Sequence, residues 1–432
     1  MQAECDWRRM SDYIPRLLDP VFQDYLSFVP AFAIEGVKAS GKTSSAEKLA
    51  QTSYRLDIES TRELLASTPN AFLRSEKPVL VDEWQRMPQI WDMVRREVDD
   101  DFTPGRFILT GSAYPKDTPI HNGAGRIIKI RMRPLSIAER FPDEASISLR
   151  DLLHKKIDEV SGSTNIGIDQ YLLEITKSGF PGIRSLPERG ASLYIESYLD
   201  NLANREFDEQ GFTVRKPTVF RNWLKAYAAA TGSTSAYQVI LDAATPDEKD
   251  KHSKSATIAY RDILDKLYLT DRVEPWLPVN SQFKYLGKIA KHYLADPALA
   301  VSLLGITMNS FFDDSRIPRL GPQEKSIAGR LFESLVALSL QTYTQVAEAR
   351  LGHFRSNNGR QEVDFIVEKG NNLAVIEVKL SSSPDNNSVD TLNWFEQTFS
   401  NYQVSKILIT TGDTAYTRHD KVHVIPAALL AP

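Results

Sequence analysis

The chain has 432 residues, of which 42% are hydrophobic and 25% are charged, a balance typical of soluble globular proteins. This length exceeds what one hydrophobic core supports, so we expect two or three domains. The formal net charge of -4 excludes a basic field over the whole surface as a basis for binding nucleic acid. Cys5 is the single cysteine, which excludes an internal disulfide and a cysteine-rich zinc site.

The amino-terminal residues and the hydropathy predict the compartment. The first residues are polar and charged, unlike a signal peptide. No apolar run approaches the ~20 residues that a membrane helix needs. We therefore expect a cytoplasmic protein without membrane contact. Within residues 1–30, apolar residues at helical spacing predict a helix that packs on the domain that follows.

A phosphate-binding loop is predicted directly after an apolar strand. Gly36 to Thr43 match G-x-x-x-x-G-K-[ST] at each fixed position. Glycines let backbone N–H groups close around a polyphosphate, Lys42 would reach the β- and γ-phosphates, and Thr43 would bind Mg²⁺. An ordinary strand-to-helix turn is the alternative, but the strand before the motif and the helix after it favour a nucleotide site. The predicted site comprises Gly36, Val37, Lys38, Ala39, Ser40, Gly41, Lys42, Thr43 and Ser44.

A second motif follows about 40 residues later. The aliphatic run Val79-Leu80-Val81 predicts a buried strand, and it ends in Asp82 and Glu83. Asp82 would hold Mg²⁺ through its water shell, and Glu83 would polarise the attacking water as the general base. The alternative is a pair of solvated acids at the end of a strand.

The third predicted buried strand ends at Thr110-Gly111-Ser112. Thr110 or Ser112 could act as a sensor that touches the γ-phosphate, or the segment could be an ordinary turn. Arg126 is a candidate arginine finger or sensor, or else a surface arginine. Strands and helices alternate from residue 32 to 135, so residues 1–142 are predicted to form a three-layer α/β domain with a mostly parallel sheet.

The middle of the chain is predicted to be helical. Residues 142–168 are polar and predict a linker, and residues 165–320 form the helical region. Inside this region, the stretch from Ser235 to Val273 resembles a winged helix-turn-helix whose second helix carries Lys254, Tyr260 and Arg261. Such a helix can read DNA or make protein contacts, and both alternatives stay open.

The last region, residues 321–432, contains a second set of candidate catalytic residues. Glu333 lies on a predicted helix, Asp364 on a following strand, and Glu377 and Lys379 on one face of the next strand. Metal-dependent phosphodiester cleavage uses carboxylates that bind Mg²⁺ and a lysine that orients or deprotonates water. The alternatives are charged residues at strand ends, or a nuclease descendant that keeps the acids without cutting.

With these motifs in place, the chain resembles prokaryotic AAA-type P-loop ATPases that carry a C-terminal domain of unknown function. Its C-terminal part also resembles the PD-(D/E)xK restriction-endonuclease-like fold, with Asp364, Glu377 and Lys379 at the acid, second acid and lysine of that motif. Trp84 departs from the aliphatic residue usual after the two acids. The resemblance covers nearly the whole chain and lies in Gly36–Thr43, Val79–Gln85, Phe107–Ala113, Gly125-Arg126, Arg133–Ser136, Gly179–Gly182, Val363–Phe365 and Ile376–Lys379.

This resemblance implies a nucleotide-driven protein with ATP and Mg²⁺ as cofactors, but it names no substrate. The occurrence of two separate motif sets in one chain predicts an ATPase that couples hydrolysis to a nucleic-acid transaction, with DNA favoured over RNA. The resemblance also implies a C-terminal metal-dependent nuclease site and admits a homo-oligomer, in which an arginine finger acts in trans. The alternative is an ATP-controlled switch or binding protein whose nuclease-like domain binds a partner or nucleic acid without cutting.

Overall fold

The computed structural model describes residues 13–114, 125–214, 216–244, 254–278, 288–312, 318, 320–356, 359–383 and 386–432. Its α-helices are α1 (Asp19–Phe28), α2 (Lys42–Glu47), α3 (Glu59–Ser67), α4 (Gln89–Asp100), α5 (Ile137–Arg140), α6 (Leu149–Leu153), α7 (Ile168–Lys177), α8 (Pro181–Arg184), α9 (Glu188–Asn201), α10 (Phe207–Glu209), α11 (Pro217–Ala229), α12 (Tyr237–Ala244), α13 (Lys254–Lys266), α14 (Pro297–Leu304), α15 (Pro322–Val346) and α16 (Asn386–Thr398). Its strands are β1 (Ala31–Glu35), β2 (Thr52–Arg55), β3 (Val79–Asp82), β4 (Phe107–Gly111), β5 (Ile127–Arg131), β6 (Ile147–Ser148), β7 (Ser161–Ser163), β8 (Arg350–Arg355), β9 (Glu362–Lys369), β10 (Asn372–Val378), β11 (Gln403–Thr410), β12 (Thr414–Thr417), β13 (Val422–Pro426) and β14 (Leu430–Ala431).

The chain divides into two compact units. The first unit comprises Met1–Met132 and Phe180–Ala191, and the second comprises Arg133–Gly179 and Ser192–Pro432. These boundaries differ from the predicted ones, because the predicted first domain continued to residue 142 and the predicted C-terminal domain began at 321. None of the helices in the described ranges combines the length and apolar character that a membrane crossing requires.

The first unit is built on a parallel sheet with strand order β2-β3-β4-β1-β5. Strands β1, β3 and β4 are buried along their whole length, which is why all but their last one or two residues are aliphatic or aromatic. One core cluster on this sheet includes Val79, Val81, Trp91, Phe107 and Leu109. The predicted α/β class with a mostly parallel sheet is confirmed for this unit.

The carboxyl ends of the parallel strands bring the predicted nucleotide-binding residues to one edge of the sheet. Strand β1 leads into the loop at Gly36, β3 ends at Asp82, and β4 ends at Thr110-Gly111. In the register of the sheet, Ile34 lies opposite Thr110 and Glu35 opposite Gly111. A crevice outside the carboxyl ends of parallel strands is the usual ligand position in open α/β sheets.

The second unit contains a mixed sheet with strand order β7-β12-β13-β11-β10-β9-β8. Strands β8, β9 and β10 are antiparallel neighbours, whereas β10, β11 and β13 run parallel. Its core cluster includes Trp276, Ile366, Val375, Phe395 and Leu408.

The predicted linker at residues 142–168 is wrong, because the segment is part of the folded second unit. Strand β7 pairs with β12 at the edge of the mixed sheet, and β6 pairs with β14. Leu149, Leu152 and Leu153 of α6 are fully buried. The polar composition of this segment gave no periodic signal, since the partners that bury it lie more than 200 residues away in sequence.

In the middle region, α11, α12 and α13 are followed by a short antiparallel ladder in which Val273 and Lys291 exchange backbone hydrogen bonds. We call residues 270–273 and 291–294 the 270/291 ladder. Helices followed by such a ladder match the predicted order of a winged helix, which itself stays a prediction. Tyr260 was placed on a helix that could contact DNA or protein, but it is buried, with its ring centroid 4.9 Å from that of Phe220. Tyr260 is therefore a core residue and does not contact a ligand. Arg261 pairs with the neighbouring Asp262. The side chain of Lys254 lies outside the described residues.

Candidate functional site

The loop from Gly36 to Gly41 has a backbone that only certain residues allow. Gly36 has φ +155°, and a Cβ at this position would lie 2.1 Å from the carbonyl oxygen of Met132. Gly41 adopts φ +96° directly before α2 begins at Lys42. Arg16 donates from Nη1 to the carbonyl of Ser40 at 2.7 Å, which ties the loop to the segment before α1. The two motif glycines are therefore required by close approach and by backbone conformation.

Lys42 points back into its own loop. Its Nζ donates to the carbonyl oxygens of Gly36 and Val37, each at 2.9 Å, and the residue is buried. Burial lowers the pKa of Lys42 to about 8, although the charges of Glu83 and Asp82 oppose this shift. A buried ammonium held by neutral carbonyls is suited to meet an anionic phosphate. In the same loop Lys38, Ala39 and Ser44 are exposed, whereas Ser40 is buried.

Asp82 links the first motif to the second and third. Its Oδ1 accepts hydrogen bonds from the Thr43 hydroxyl at 2.7 Å and from the Thr110 hydroxyl. Asp82 is 2% exposed, and burial raises its pKa, while the hydrogen bonds from Thr110 and Thr43 oppose that rise. Thr43 and Asp82 are thus adjacent oxygen donors in one pocket of the first unit.

Glu83 occupies an unusual backbone position at the end of β3. Its φ of 58° is left-handed, and its N–H donates to the Thr110 hydroxyl at 3.2 Å. Its carboxylate accepts hydrogen bonds from Ser112 Oγ at 2.9 Å and from the Gln85 side-chain amide. The two candidate sensor residues therefore contact different carboxylates: the Thr110 hydroxyl donates to that of Asp82, and the Ser112 hydroxyl donates to that of Glu83.

Arg126 lies at the wrong end of the sheet to serve its own phosphate-binding loop. It precedes β5, whose first residue, Ile127, pairs with Ala31 at the amino end of β1. At ~3.3 Å per residue, the length of β5 separates Arg126 from the loop end of the sheet by roughly 16 Å. Its Nε donates to Asp99 Oδ1 at 2.6 Å near the end of α4. The parallel register therefore places Arg126 at the end of the sheet opposite to the phosphate-binding loop, which argues against a role at the nucleotide site of its own chain.

Sequence reasoning assigned no role to two residues that shape this site. Arg16 lies outside every motif, so no local signal marks its contact with the loop. Gln85 follows Glu83 by two residues within the same motif. This spacing was the sequence signal from which its contact with Glu83 could have been predicted.

In the second unit, the structure brings together the predicted acids around a lysine that the sequence did not reveal. Lys291 Nζ lies 2.8 Å from Asp364 Oδ1, 3.0 Å from Glu333 Oε1 and 3.5 Å from Glu362 Oε1. Lys379 Nζ lies 3.4 Å from Glu377 Oε2. We call these residues the carboxylate cluster; its members are Lys291, Glu333, Glu362, Asp364, Glu377 and Lys379.

Backbone geometry holds the cluster in place. Phe365 lies opposite Ile376 in the β9–β10 ladder, so Asp364 and Glu377 are the next opposite residues at its end. The N–H of Val378 donates to Asp364 Oδ2 at 3.0 Å. From α15, Glu333 adds its carboxylate and accepts a hydrogen bond from Tyr293. Lys291 and Tyr293 are two residues apart in an extended segment and therefore reach the same side.

The charges in the cluster shift each other's pKa values. Burial and the charge of Asp364 raise the pKa of Glu333 to about 7, and the same two causes raise the pKa of Glu377. For Asp364, burial is the largest single influence and would raise the pKa, but the charges of Lys291 and Lys379 and the hydrogen bonds from Lys291 and Val378 together lower it. Burial would likewise lower the pKa of Lys291, but the surrounding groups, Asp364 and Glu333 foremost, together raise it.

The two candidate metal sites differ in how well their residues fit a divalent ion. Mg²⁺ in nucleotide sites takes one or two side-chain oxygens together with phosphates and water, and the hydroxyl of Thr43 beside the carboxylate of Asp82 fits that donor set. In the carboxylate cluster, the Lys291 ammonium already binds Asp364 and Glu333. Across the described ranges, no group of three or more histidine, cysteine, aspartate or glutamate side chains is arranged to hold a metal ion. As arranged here, Glu333, Asp364 and Glu377 do not form a metal site.

The parallel sheet, the loop from Gly36 and the Thr43–Asp82 contact define the first unit as a P-loop nucleotide-binding domain. Family comparison agrees, since residues 29–141 match the model of an AAA domain. Residues 168–310 and 328–430 match two further models, each described as a domain of unknown function (DUF8612 and DUF4143, respectively). Residues 29–141 thus match an AAA-type ATPase domain, and the descriptions of the other two models name no activity.

Relatives and solved structures add similarity without a function. Uncharacterized proteins of Mycobacterium bovis and Mycobacterium tuberculosis are each 23% identical over 368 residues, which is 82% of this chain and 71% of theirs. A Walker-type ATPase of Pyrococcus abyssi aligns at TM-score 0.39 and 14% identity over 68% of this chain and 97% of its own. The Aeropyrum pernix ORC2 protein aligns at TM-score 0.28 and 15% identity over 68% of this chain and 96% of its own.

Proposed function

We propose that this protein hydrolyses Mg-ATP at the P-loop of its first unit and couples hydrolysis to a nucleic-acid transaction through its second unit. The observation that carries the ATPase is the hydrogen bond of 2.7 Å between Thr43 and Asp82, because it joins residues of two motifs about 40 positions apart into one oxygen-lined pocket. Glu83 lies beside this pocket and is held by Ser112 and Gln85.

Each residue has a defined task in this proposal. Lys42 leaves the carbonyls of Gly36 and Val37 and binds the β- and γ-phosphates. Thr43 and Asp82 hold Mg²⁺, which neutralises phosphate charge when it is bound. Glu83 accepts the proton of the attacking water, since it is the acid next to Asp82 at the end of β3.

The ATPase proposal is tested by ATP turnover of Lys42→Ala. We expect loss of phosphate release and of nucleotide binding, because the variant lacks the ammonium that meets the phosphates. Lys48→Ala is the matched control, since it removes an exposed lysine directly after α2 and outside the predicted site. Turnover that survives in Lys42→Ala would contradict the proposal.

For the second unit, the order α15-β8-β9-β10-α16-β11 supports the predicted restriction-endonuclease-like fold, and the meeting of Glu333, Asp364, Glu377 and Lys379 supports a phosphodiester-related role. The ion pairs of Lys291 with Asp364 and Glu333 occupy carboxylate oxygens that a catalytic metal ion would need, which argues against cutting. We therefore propose an ATP-controlled binding function as the leading form of the transaction and nuclease activity as the second.

Cleavage assays separate these two forms. Supercoiled plasmid, single-stranded DNA and RNA are incubated with the protein and Mg²⁺ or Mn²⁺, with and without ATP. Binding that depends on ATP, with uncut substrates, supports the leading form. Cutting that disappears in Lys379→Ala would establish the nuclease instead. Substrates that neither bind nor are cut would contradict both.

A homo-oligomer follows as a further proposal from the position of Arg126. Its guanidinium lies at the amino end of β5 and can assist hydrolysis only at the P-loop of another copy. We expect ATP to promote self-association measured by light scattering. Arg126→Ala should then lower turnover without lowering nucleotide affinity, and concentration-independent turnover would contradict a role in trans.

A further inference from the structure

The carboxylate cluster of the second unit has a positive charge built into the chain at the place where its acids converge. Lys291 is 1% exposed, and its Nζ lies within 3.0 Å of oxygens on both Glu333 and Asp364. These acids come from a helix and a strand that are separate in sequence, and a single lysine bridges them. A divalent ion in the cluster would need the same oxygens.

The position of Lys291 is set by the backbone. In the 270/291 ladder, Lys291 donates from its N–H to Val273 at 2.9 Å and accepts from Val273 at 3.1 Å. On either side of the ladder residue, Tyr293 donates to Glu333 and His353 contacts the carbonyl of Ile289 at 3.1 Å. The backbone on both sides of Lys291 is therefore fixed, and its side chain points into the carboxylate cluster.

We propose that Lys291 is a tethered cation that competes with a divalent metal ion for the carboxylates of Asp364 and Glu333. The lysine supplies the charge that keeps these acids together, so the second unit folds without a metal. A metal binds there with high affinity only when the charge of Lys291 is removed. This inference concerns the second unit alone and does not depend on ATP hydrolysis.

The contrast with Lys379 supports the competition. Lys379 is 35% exposed, and its Nζ lies 3.4 Å from Glu377 Oε2. It lies at the rim, whereas Lys291 lies between the acids. Electrostatic competition requires the cation to be desolvated and close to the ligand oxygens, and Lys291 meets both conditions.

The test measures Mn²⁺ binding to the nucleotide-free full chain by electron paramagnetic resonance of free Mn²⁺. Lys291→Met keeps an unbranched side chain that is one atom shorter and removes its charge. We expect this variant to gain a site that binds Mn²⁺ at least about tenfold more tightly than the wild type does, which corresponds to ~1.4 kcal/mol. The double variant Lys291→Met/Asp364→Asn should lose the gained site.

Two controls keep the result specific. Lys406→Met removes another buried lysine of the second unit, one that pairs with Glu396, and should leave Mn²⁺ affinity unchanged. Lys291→Arg keeps the charge and should behave like the wild type. A folded Lys291→Met with wild-type Mn²⁺ affinity would overturn the proposal, as would a wild-type site that needs Asp364 and binds equally well.

Folding of the variant is a second readout. Lys291→Met leaves buried carboxylates without their cation, so we expect a lower melting temperature that Mn²⁺ raises. Lys291→Gln provides a second neutral variant. If both fail to fold, refolding with and without millimolar Mn²⁺ decides: rescue by Mn²⁺ supports the proposal, and no rescue contradicts it.

Discussion

Two buried lysines, one in each unit, show how partners decide what a buried charge can do. Lys42 donates to neutral carbonyl oxygens, and burial lowers its pKa to about 8. Lys291 donates to the carboxylates of Asp364 and Glu333, and these acids raise its pKa despite burial. The first lysine remains available for an incoming anion, whereas the second is already neutralised within the protein.

The comparison extends to the acids beside each lysine. Asp82 accepts hydrogen bonds from the neutral hydroxyl groups of Thr43 and Thr110. Asp364 is held by the Lys291 ammonium and the Val378 N–H. We infer that the first site is arranged for ligand chemistry and the second for an internal charge balance.

The strongest test of this difference is Glu83→Gln in the first unit. We expect the rate constant for ATP hydrolysis to fall about 10²–10⁴-fold, because the amide cannot accept a proton from the attacking water. Nucleotide affinity should remain nearly unchanged, since Lys42 and the loop are intact. Phosphate release and binding of a fluorescent nucleotide measure the two effects. Near wild-type hydrolysis would remove Glu83 from the mechanism.

In the second unit, Asp364→Asn should destabilise folding by about 3–5 kcal/mol, because it breaks a buried ion pair and leaves Lys291 undercompensated. Glu362→Gln is the control: its carboxylate is 39% exposed and lies 3.5 Å from Lys291, so its loss should cost less than about 1 kcal/mol. Hydrogen exchange in β9 and β10 reports the change. Equal effects of the two substitutions would show that burial of Asp364 does not matter.

The pH dependence of nucleotide binding tests the state of Lys42. Bound phosphates favour the ammonium, so binding takes up a proton wherever free Lys42 is neutral. The pKa of Lys42 without nucleotide is about 8. The affinity for nucleotide should therefore be constant below pH 7 and fall about tenfold from pH 7 to pH 9. Lys42→Arg stays charged over this range and should show a flatter profile. An equal decline in both proteins would assign the titration to another group.

The smallest expected effect is that of Ser112→Ala. Its hydroxyl donates one hydrogen bond of 2.9 Å to Glu83, and losing such a bond typically costs ~1 kcal/mol. We expect turnover to fall about fivefold with unchanged nucleotide affinity. Steady-state kinetics measure this change, and an effect as large as that of Glu83→Gln would show that Ser112 has a direct catalytic role.

The first unit could be predicted well from the sequence because its signals are local. Glycines, a lysine and a threonine at fixed spacing specify the loop, and aliphatic strands ending in Asp82 or Thr110 specify where the partners lie. The parallel register then brings strand ends together, as expected. Arg126 escaped this reasoning, since the sequence does not say which end of a strand faces the loop.

In the second unit, the acids Glu333, Asp364 and Glu377 were identified from strand and helix patterns, but Lys291 was not. It precedes Glu333 by 42 residues and carries no motif, and its contact arises only when the 270/291 ladder meets α15 and β9. Tyr260 likewise lies on a helix that was predicted to contact DNA or protein. Its packing against Phe220 in the tertiary structure shows that it is a core residue.

The sequence by itself determined the AAA-type nucleotide site, because backbone conformation and side-chain spacing along one short segment are sufficient to build it. The tertiary structure decided the state of the carboxylate cluster, the membership of residues 142–168 in the second unit and the direction of Arg126. Each of these depends on contacts between segments that are far apart in the chain. Polar and charged groups need such partners only once folding has buried them, so the sequence alone does not reveal the contacts.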